Sequence, residues 1–194
     1  MSTTVSNGID VDRLLATIDA IKAEPELAAF TFRATTSWVD GTHNVGRIGH
    51  FRHAGAEDES RAAPFVLDGD EPPVLLGGNR GPNAVELMLQ ALGFCYAVGF
   101  AANAAARGVE LTSMRYDVEG DLDARAFLGL PGPRPGFTAI RARLTVESPN
   151  ADADQIADLC RYVQASSPVR DILANPVPVT TTIETRPAAT EVRT

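Results

Sequence analysis

The sequence has few positively charged residues and few cysteines. Its 17 lysine and arginine residues are outnumbered by 25 aspartate and glutamate residues, which gives a net charge of −8. Because a surface that binds nucleic acid needs a basic patch for the phosphates, this balance argues against a nucleic-acid partner. Only two of the 194 residues are cysteines. Two thiols in an acidic chain fit a reducing cytoplasm, either as inert core residues or as a redox pair.

Signals for a membrane or for export are also lacking. The first ten residues do not show the basic and then apolar layout of a secretory signal peptide. A membrane span needs about 18 or more apolar residues in a row, and the most apolar stretch, residues 81–108, is interrupted. The interrupting residues are Asn83, Glu86, Gln90, Asn103 and Arg107. We therefore expect a cytoplasmic protein without a membrane partner.

A long helix is predicted between residues 81 and 108, and the rest of the chain is organised around it. Asn83 is a favourable N-cap, and Glu86 stands three residues later, where a capping-box side chain reaches back to the cap. Gly108 follows the last helical residues, as a left-handed glycine does at many helix ends. Almost everything between the caps is apolar or small, so we expect the helix to be buried on most sides. Cys95 lies in its middle.

Hydrophobic periodicity predicts strands on both sides of this helix and two further long helices. Strands are predicted at residues 30–38, 45–51, 65–67, 74–76, 114–122, 137–146 and 177–183, and a loop at residues 54–63. Helices are predicted at residues 10–24, from Asp152 onward with Cys160 on the apolar stripe, and from Ser167–Pro168. Hairpin-like strands with helices between them indicate an α+β fold.

The 194 residues fit one main domain with an added segment at each end. We expect residues 1–27 to form an N-terminal helical extension and residues 28–186 to form the domain itself. Residues 187–194 are expected to be a disordered tail.

Three side chains are candidates for catalysis, and each has a plain structural alternative. Free cysteines are among the most buried residue types, so Cys95 and Cys160 could simply pack in the core. Glu86 is explained by the capping box, and on a continuous helix it points away from Cys95. A reactive thiolate needs a cation nearby. The candidates for that cation are Arg33, Arg47, Arg52 and Arg80.

Metal and phosphate sites are not indicated. His50 and His53 are the only closely spaced histidines, with His43 further off, and zinc sites usually need three or four ligands of defined spacing. Residues 77–81 are rich in glycine but lack the Gly-Lys-Ser/Thr ending of a phosphate loop. We predict no metal and no other cofactor.

The order of these features resembles the OsmC/Ohr superfamily of osmotically induced and organic-hydroperoxide-resistance proteins. The resemblance rests on residues 81–87 (Gly-Pro-Asn-Ala-Val-Glu-Leu) with Cys95 behind them, and on Cys160 followed by residues 167–171 (Ser-Pro-Val-Arg-Asp). It covers about residues 28–185.

The resemblance implies an OsmC-like fold, with antiparallel sheets around the long buried helix, in an intertwined homodimer whose active sites lie at the subunit interface. It also implies thiol peroxidase chemistry. Cys95 would reduce an organic hydroperoxide and become a sulfenic acid, and Cys160 would resolve that acid as a disulfide. Glu86 is the third site residue carried over. The reductant implied is a dithiol such as a lipoylated protein.

Two positions depart from the peroxidase members of the superfamily. Val39 stands two residues before Gly41, where those members carry an arginine, and Val85 stands ten residues before Cys95, where they carry a glutamate. The acidic neighbour, Glu86, looks more like the wider OsmC-like branch.

Two hypotheses therefore stay open. The first is a cysteine-dependent peroxidase with an apolar pocket walled by residues such as Met88, Phe94 and Phe100. The second is a non-catalytic OsmC-like dimer that binds an apolar small molecule.

Overall fold

The computed structural model describes residues 4–186, and the predicted tail at 187–194 lies outside them. The helices are α1 (Val11–Ala23), α2 (Ala84–Ala106), α3 (Ala153–Ser166) and α4 (Pro168–Ala174). The first eight strands are β1 (Val5–Ser6), β2 (Ile9–Asp10), β3 (Phe30–Thr31), β4 (Thr35–Asp40), β5 (His43–Ile48), β6 (Phe51–His53), β7 (Ala56–Asp58) and β8 (Phe65–Gly69). After α2 come β9 (Ser113–Asp121) and β10 (Ala139–Glu147).

The strands form antiparallel sheets that flank the long helix. β4, β5 and β8 make one three-stranded sheet in the order β4–β5–β8, and β3, β6 and β7 make another in the order β3–β6–β7. β9 and β10 pair as a long hairpin, and β1 pairs with β2. The predicted α+β fold of antiparallel sheets around a central helix is confirmed.

Helix α2 has the ends that its sequence predicts. The side-chain oxygen of Asn83 accepts a hydrogen bond from the backbone N–H of Glu86, and the Glu86 carboxylate accepts one from the backbone N–H of Asn83, both at 2.9 Å. Gly108 has φ +70° just beyond the helix, a conformation that costs glycine little. Local sequence therefore sets both boundaries of this helix.

Several of the predicted elements differ in the structure. The strand predicted at residues 30–38 is divided into β3 and β4, which belong to different sheets, and the strand predicted at residues 45–51 is divided between β5 and β6. Residues 176–186 have no regular secondary structure, although their alternation predicted a strand; Val179 and Ile183 are largely exposed, and prolines 176 and 178 cannot donate to a strand ladder. Pro73–Leu75 form a 3₁₀ helix in place of a strand. The predicted loop at 54–63 contains strand β7.

The hydrophobic core is formed by the second half of the chain. Phe100, Leu159 and Val163 are its largest fully buried side chains, and α2, α3 and the β9–β10 hairpin surround them. All members of the core cluster, with the apolar residues packed against it, lie between Leu92 and Leu173. The two N-terminal three-stranded sheets thus lie outside the core of the described chain.

A large apolar surface is left uncovered in the single chain. On α2, Phe94 is 65% exposed and Val98 is 71% exposed, four residues further along the same face. In the N-terminal sheets, Trp38 is 70% exposed and Phe65 is 61% exposed. The prediction that α2 is buried on most sides therefore holds for one face only, and exposed apolar patches of this kind mark interaction surfaces.

Helix α2 also has the length and composition of a membrane span. It has 23 residues, and its mean hydropathy over the most apolar window is 1.5. A core helix can have the same composition, and α2 packs against β9, α3 and α4. The packing places it as the central helix of this fold.

One buried carboxylate organises the segment between β8 and α2. Asp70 accepts hydrogen bonds from the Thr42 hydroxyl at 2.6 Å and from the backbone N–H groups of Glu71, Gly78 and Arg80 at 2.9, 2.9 and 3.1 Å. The Thr42 hydrogen bond, together with the backbone donors, holds the pKa of Asp70 well below its usual range, although burial acts in the opposite direction. The ionised carboxylate therefore fixes the approach to α2.

Replacing Asp70 tests this role through its pH dependence. The folded-state pKa is depressed, so the carboxylate stabilises the fold fully above its unfolded pKa of about 3.9 and loses that effect as the pH falls through the folded value. We expect Asp70→Asn to lower the free energy of unfolding at neutral pH. The gap in this free energy between the variant and the wild type should narrow below about pH 4. Urea unfolding at a series of pH values measures the gap.

The exposed Asp154 provides a matched control. Asp154→Asn should change the free energy of unfolding much less than Asp70→Asn does at neutral pH. A gap for Asp70→Asn that stays constant down to about pH 3 would contradict the assignment.

Candidate functional site

Cys95 lies about three turns into α2, and its thiol is partly open to solvent. Phe94 on one side is exposed, and Tyr96 on the other is buried. The Cys95 sulfur lies 3.1 Å from the hydroxyl oxygen of Ser167, a residue 72 positions later in the chain. The thiol is therefore half-buried beside a polar group.

Ser167 is the N-cap of α4 and is only 5% exposed. Its hydroxyl oxygen accepts a hydrogen bond from the backbone N–H of Arg170 at 3.1 Å. Since the oxygen serves the cap as an acceptor, the hydroxyl proton is free to point at the Cys95 sulfur. A hydrogen bond donated to that sulfur favours its thiolate form.

Cys160 has different surroundings on α3. Its sulfur accepts a hydrogen bond from the side-chain amide of Gln164 at 3.2 Å. Helix α3 runs antiparallel to α2. Ser167 faces Cys95, and Val163, four residues before Ser167, packs on Gly99, which is four residues after Cys95. Cys160 is seven residues before Ser167, which is about 10 Å along the helix.

Each of the two thiols has its own hydrogen-bond partner in the described chain. Cys95 and Cys160 are both free, and a disulfide needs Cα atoms within about 7 Å. The Cys95–Cys160 disulfide stays a prediction.

Glu86 is engaged in the capping box at the start of α2. It lies about two and a half turns from Cys95 on a continuous helix, which places the two side chains on opposite sides. Glu86 and Val85 instead line a groove of about 1330 Å³ between α2 and the β9–β10 hairpin. Within one chain, the carboxylate is thus separated from the thiol.

Three of the four arginines that were candidates for the cation beside Cys95 have other partners. Arg33 forms an ion pair with Glu57, and Arg80 bonds to Asp40 at 3.1 Å and to the ring of His43 at 2.9 Å. Arg52 donates to the carbonyl of Gly55 at 2.9 Å. Among residues 4–186, neither these three nor Arg47 hydrogen-bonds to the Cys95 sulfur. The group that lies within hydrogen-bonding distance of the Cys95 sulfur is thus the Ser167 hydroxyl and not a guanidinium.

The three residues predicted to wall an apolar pocket do not surround one pocket in the described chain. Phe100 is fully buried in the core, while Met88 and Phe94 lie on the exposed side of α2. A separate cavity of about 470 Å³ lies between β10, α2, α3 and α4, and Cys160 is in its wall. Cys95 lines neither this cavity nor the larger groove.

The histidines take structural roles in the described chain. The ring of His43 bonds to the Asp68 carboxylate at 2.8 Å, and the ring of His53 bonds to the carbonyl of Leu27 at 2.8 Å. Within residues 4–186, no group of three or more histidine, cysteine, aspartate or glutamate side chains is arranged to hold a metal ion.

Ser167 is the residue of this site that the sequence did not reveal. The sequence marks it as a helix cap before a proline, and that role is confirmed. Its contact with Cys95 depends on how α3 packs against α2, and no local pattern in the chain encodes it. The sequence signals at Ser167 are its place at the end of the helix that carries Cys160 and its position in the motif at residues 167–171.

Solved structures from several bacteria have the same fold. An OsmC-like protein from Mycoplasma pneumoniae superposes with a TM-score of 0.57 and 15% identity, over 75% of this chain and 89% of that chain. An OsmC-like protein of unknown function from Vibrio cholerae gives a TM-score of 0.52 and 11% identity, over 72% and 91% of the two chains. At such identities the likeness shows the fold alone.

The family model described as OsmC-like protein matches residues 77–182. That range holds more than half of the 194 residues and contains α2, β9, β10, α3 and α4. No curated protein matches the sequence at a significant level. The chain belongs to the OsmC-like protein family.

Proposed function

We propose that this protein acts in resistance to organic hydroperoxides, as a thiol-dependent peroxidase with Cys95 as the nucleophile. Membership in the OsmC-like family supports the stress-response role. The observation that carries the chemical part is the partly open Cys95 thiol with the Ser167 hydroxyl 3.1 Å from its sulfur. A thiolate is the reactive form of cysteine, and a donated hydrogen bond favours it.

The reaction transfers one oxygen atom to the thiol. The Cys95 thiolate attacks the terminal oxygen of a hydroperoxide, the O–O bond breaks, and the alkoxide leaves with a proton as the alcohol. The sulfur is oxidised by two electrons to a sulfenic acid, and the peroxide is reduced. The exposed ring of Phe94 beside Cys95 gives an apolar organic group a surface to contact.

The second half of the cycle uses a thiol from outside the chain. The group that faces Cys95 is a serine, which cannot form a disulfide, and Cys160 is about two turns further along α3. A dithiol reductant, such as a lipoylated protein, condenses with the sulfenic acid to a mixed disulfide and releases water. Its second thiol then displaces Cys95 as a thiol. Such a cycle suits a reducing cytoplasm.

We also propose that the working unit is a homodimer. The apolar face of α2 at Phe94 and Val98 is uncovered in the single chain, and so are the apolar side chains of the N-terminal sheets. These sheets lie outside the core of their own chain. A second copy that covers the α2 face would bury both surfaces and enclose the neighbourhood of Cys95.

Oxidation with one equivalent of cumene hydroperoxide, followed by dimedone, tests the reaction. We expect a dimedone adduct on Cys95 and a free thiol at Cys160, because the group that faces the Cys95 sulfur is the Ser167 hydroxyl. Peptide mass spectrometry locates both. Cys95→Ser should give no adduct.

Two results would count against this account. Two untouched thiols would exclude peroxidase chemistry and leave the hypothesis of a binding protein. A Cys95–Cys160 disulfide would show that the chain resolves its own sulfenic acid, as the sequence resemblance implies.

Substitution of Ser167 separates its hydrogen bond to Cys95 from its role as a cap. Ser167→Gly removes the hydroxyl but costs a helix cap only a few tenths of a kcal/mol. We expect it to slow Cys95 oxidation about tenfold, since a hydrogen bond to a charged group contributes about 1.5–3 kcal/mol. Stopped-flow measurement with cumene hydroperoxide gives the rate.

Ser167→Thr is the matched variant that keeps a hydroxyl. It should react at a rate close to that of the wild type. Equal rates for Ser167→Gly and the wild type would show that the hydroxyl serves only the cap.

A charge on the uncovered face of α2 should prevent dimer formation. We expect Val98→Arg to sediment as a monomer, because an unpaired guanidinium is costly to bury in an apolar interface. Sedimentation velocity measures the change. Val5→Arg makes the same substitution at an exposed site in β1 and should leave the dimer intact, and a monomeric wild type would refute the proposal.

A further inference from the structure

The cavity beside Cys160 has the size and walls of a small-molecule site. Its volume of about 470 Å³ falls within the range of about 300–1,000 Å³ that is typical of ligand pockets. Large apolar side chains from three elements and the segment before β10 line part of the cavity. They are Leu92 of α2, Ile140 and Leu144 of β10, Leu173 of α4, and Phe137 before β10.

Two exposed arginines also line this cavity. Arg134 and Arg170 both line the cavity, and no carboxylate of the described residues does so. Neither arginine forms an ion pair with a carboxylate among residues 4–186, whereas eight other arginines do. In a chain with a net charge of −8, two unpaired arginines at one apolar cavity indicate a site for an anion.

Neutral hydrogen-bonding groups complete the lining. Burial raises the pKa of both Tyr96 and Tyr116, so their hydroxyls stay protonated at neutral pH and can donate. Gln164 also lines the cavity, next to the Cys160 sulfur. The wall therefore presents donors and positive charge at some points and hydrocarbon at the others.

We propose that this cavity binds an apolar molecule that carries a single carboxylate, such as a medium-chain alkyl carboxylate. Arg134 and Arg170 hold the carboxylate, since the planar fork of a guanidinium matches its two oxygens. The hydrocarbon part lies against Leu92, Ile140 and Leu144. The site is separate from Cys95, which does not line this cavity, so the inference does not rest on the peroxidase proposal.

Decanoate and 1-decanol form a matched pair of probes, with the same chain length and different charge. By isothermal titration calorimetry we expect the wild-type protein to bind decanoate at least tenfold more tightly than decanol. Arg134→Gln and Arg170→Gln should each weaken decanoate binding about tenfold and leave decanol binding unchanged. Arg143→Gln is the control, since Arg143 lines the larger groove instead.

The Cys160 thiol reports where the probe binds. Decanoate should slow the alkylation of Cys160 by iodoacetamide and leave the alkylation rate of Cys95 unchanged, as measured by peptide mass spectrometry. Cys95→Ser should bind decanoate as the wild type does, which separates this test from that of the peroxidase.

Three outcomes would overturn the proposal. They are equal affinity for decanoate and decanol, binding that neither arginine substitution weakens, and a Cys160 thiol that decanoate leaves unprotected.

Discussion

The structure depends on the burial of α2, a helix that is apolar on nearly every side. In α2 the burial of Leu92, Tyr96 and Phe100 against α3 and the β9–β10 hairpin accounts for the core of the described chain. The opposite face, with Phe94 and Val98, has no cover from its own chain. A hydrophobic helix of 23 residues is stable in water only when most of its surface is removed from solvent. The apolar sequence of α2 therefore requires a second surface that covers this face.

The N-terminal sheets carry a second apolar surface that their own described chain leaves uncovered. Trp38 and Phe65 are exposed on strands that do not contribute to the core of their own chain. Apolar side chains of this size are seldom left in water without a partner. The proposed dimer joins the two exposed surfaces, and it would place the partly open Cys95 thiol close to the boundary between subunits.

The parts of the fold that local chemistry determines could be predicted from the sequence. The capping box at Asn83 and Glu86 and the left-handed Gly108 fix the ends of α2, and each requires only residues near to each other in the chain. The strand at 177–183 was predicted from alternation alone and is absent, because alternation does not supply a partner strand. The contact between Cys95 and Ser167 joins residues 72 positions apart, and only the packing of α3 on α2 creates it.

That packing gives the two thiols separate environments. Antiparallel helices bring residues together in reversed order, so the direction of α3 places Ser167 opposite Cys95 and Val163 opposite Gly99. One sulfur then meets a hydroxyl on the side of α2 where its own chain leaves apolar surface uncovered. The other accepts a hydrogen bond from the Gln164 amide and lies in the wall of a cavity that Arg134 and Arg170 also line. The two sulfurs have different hydrogen-bond partners, and of the two only Cys160 lines the cavity, which is the physical reason to test the two cysteines for different roles.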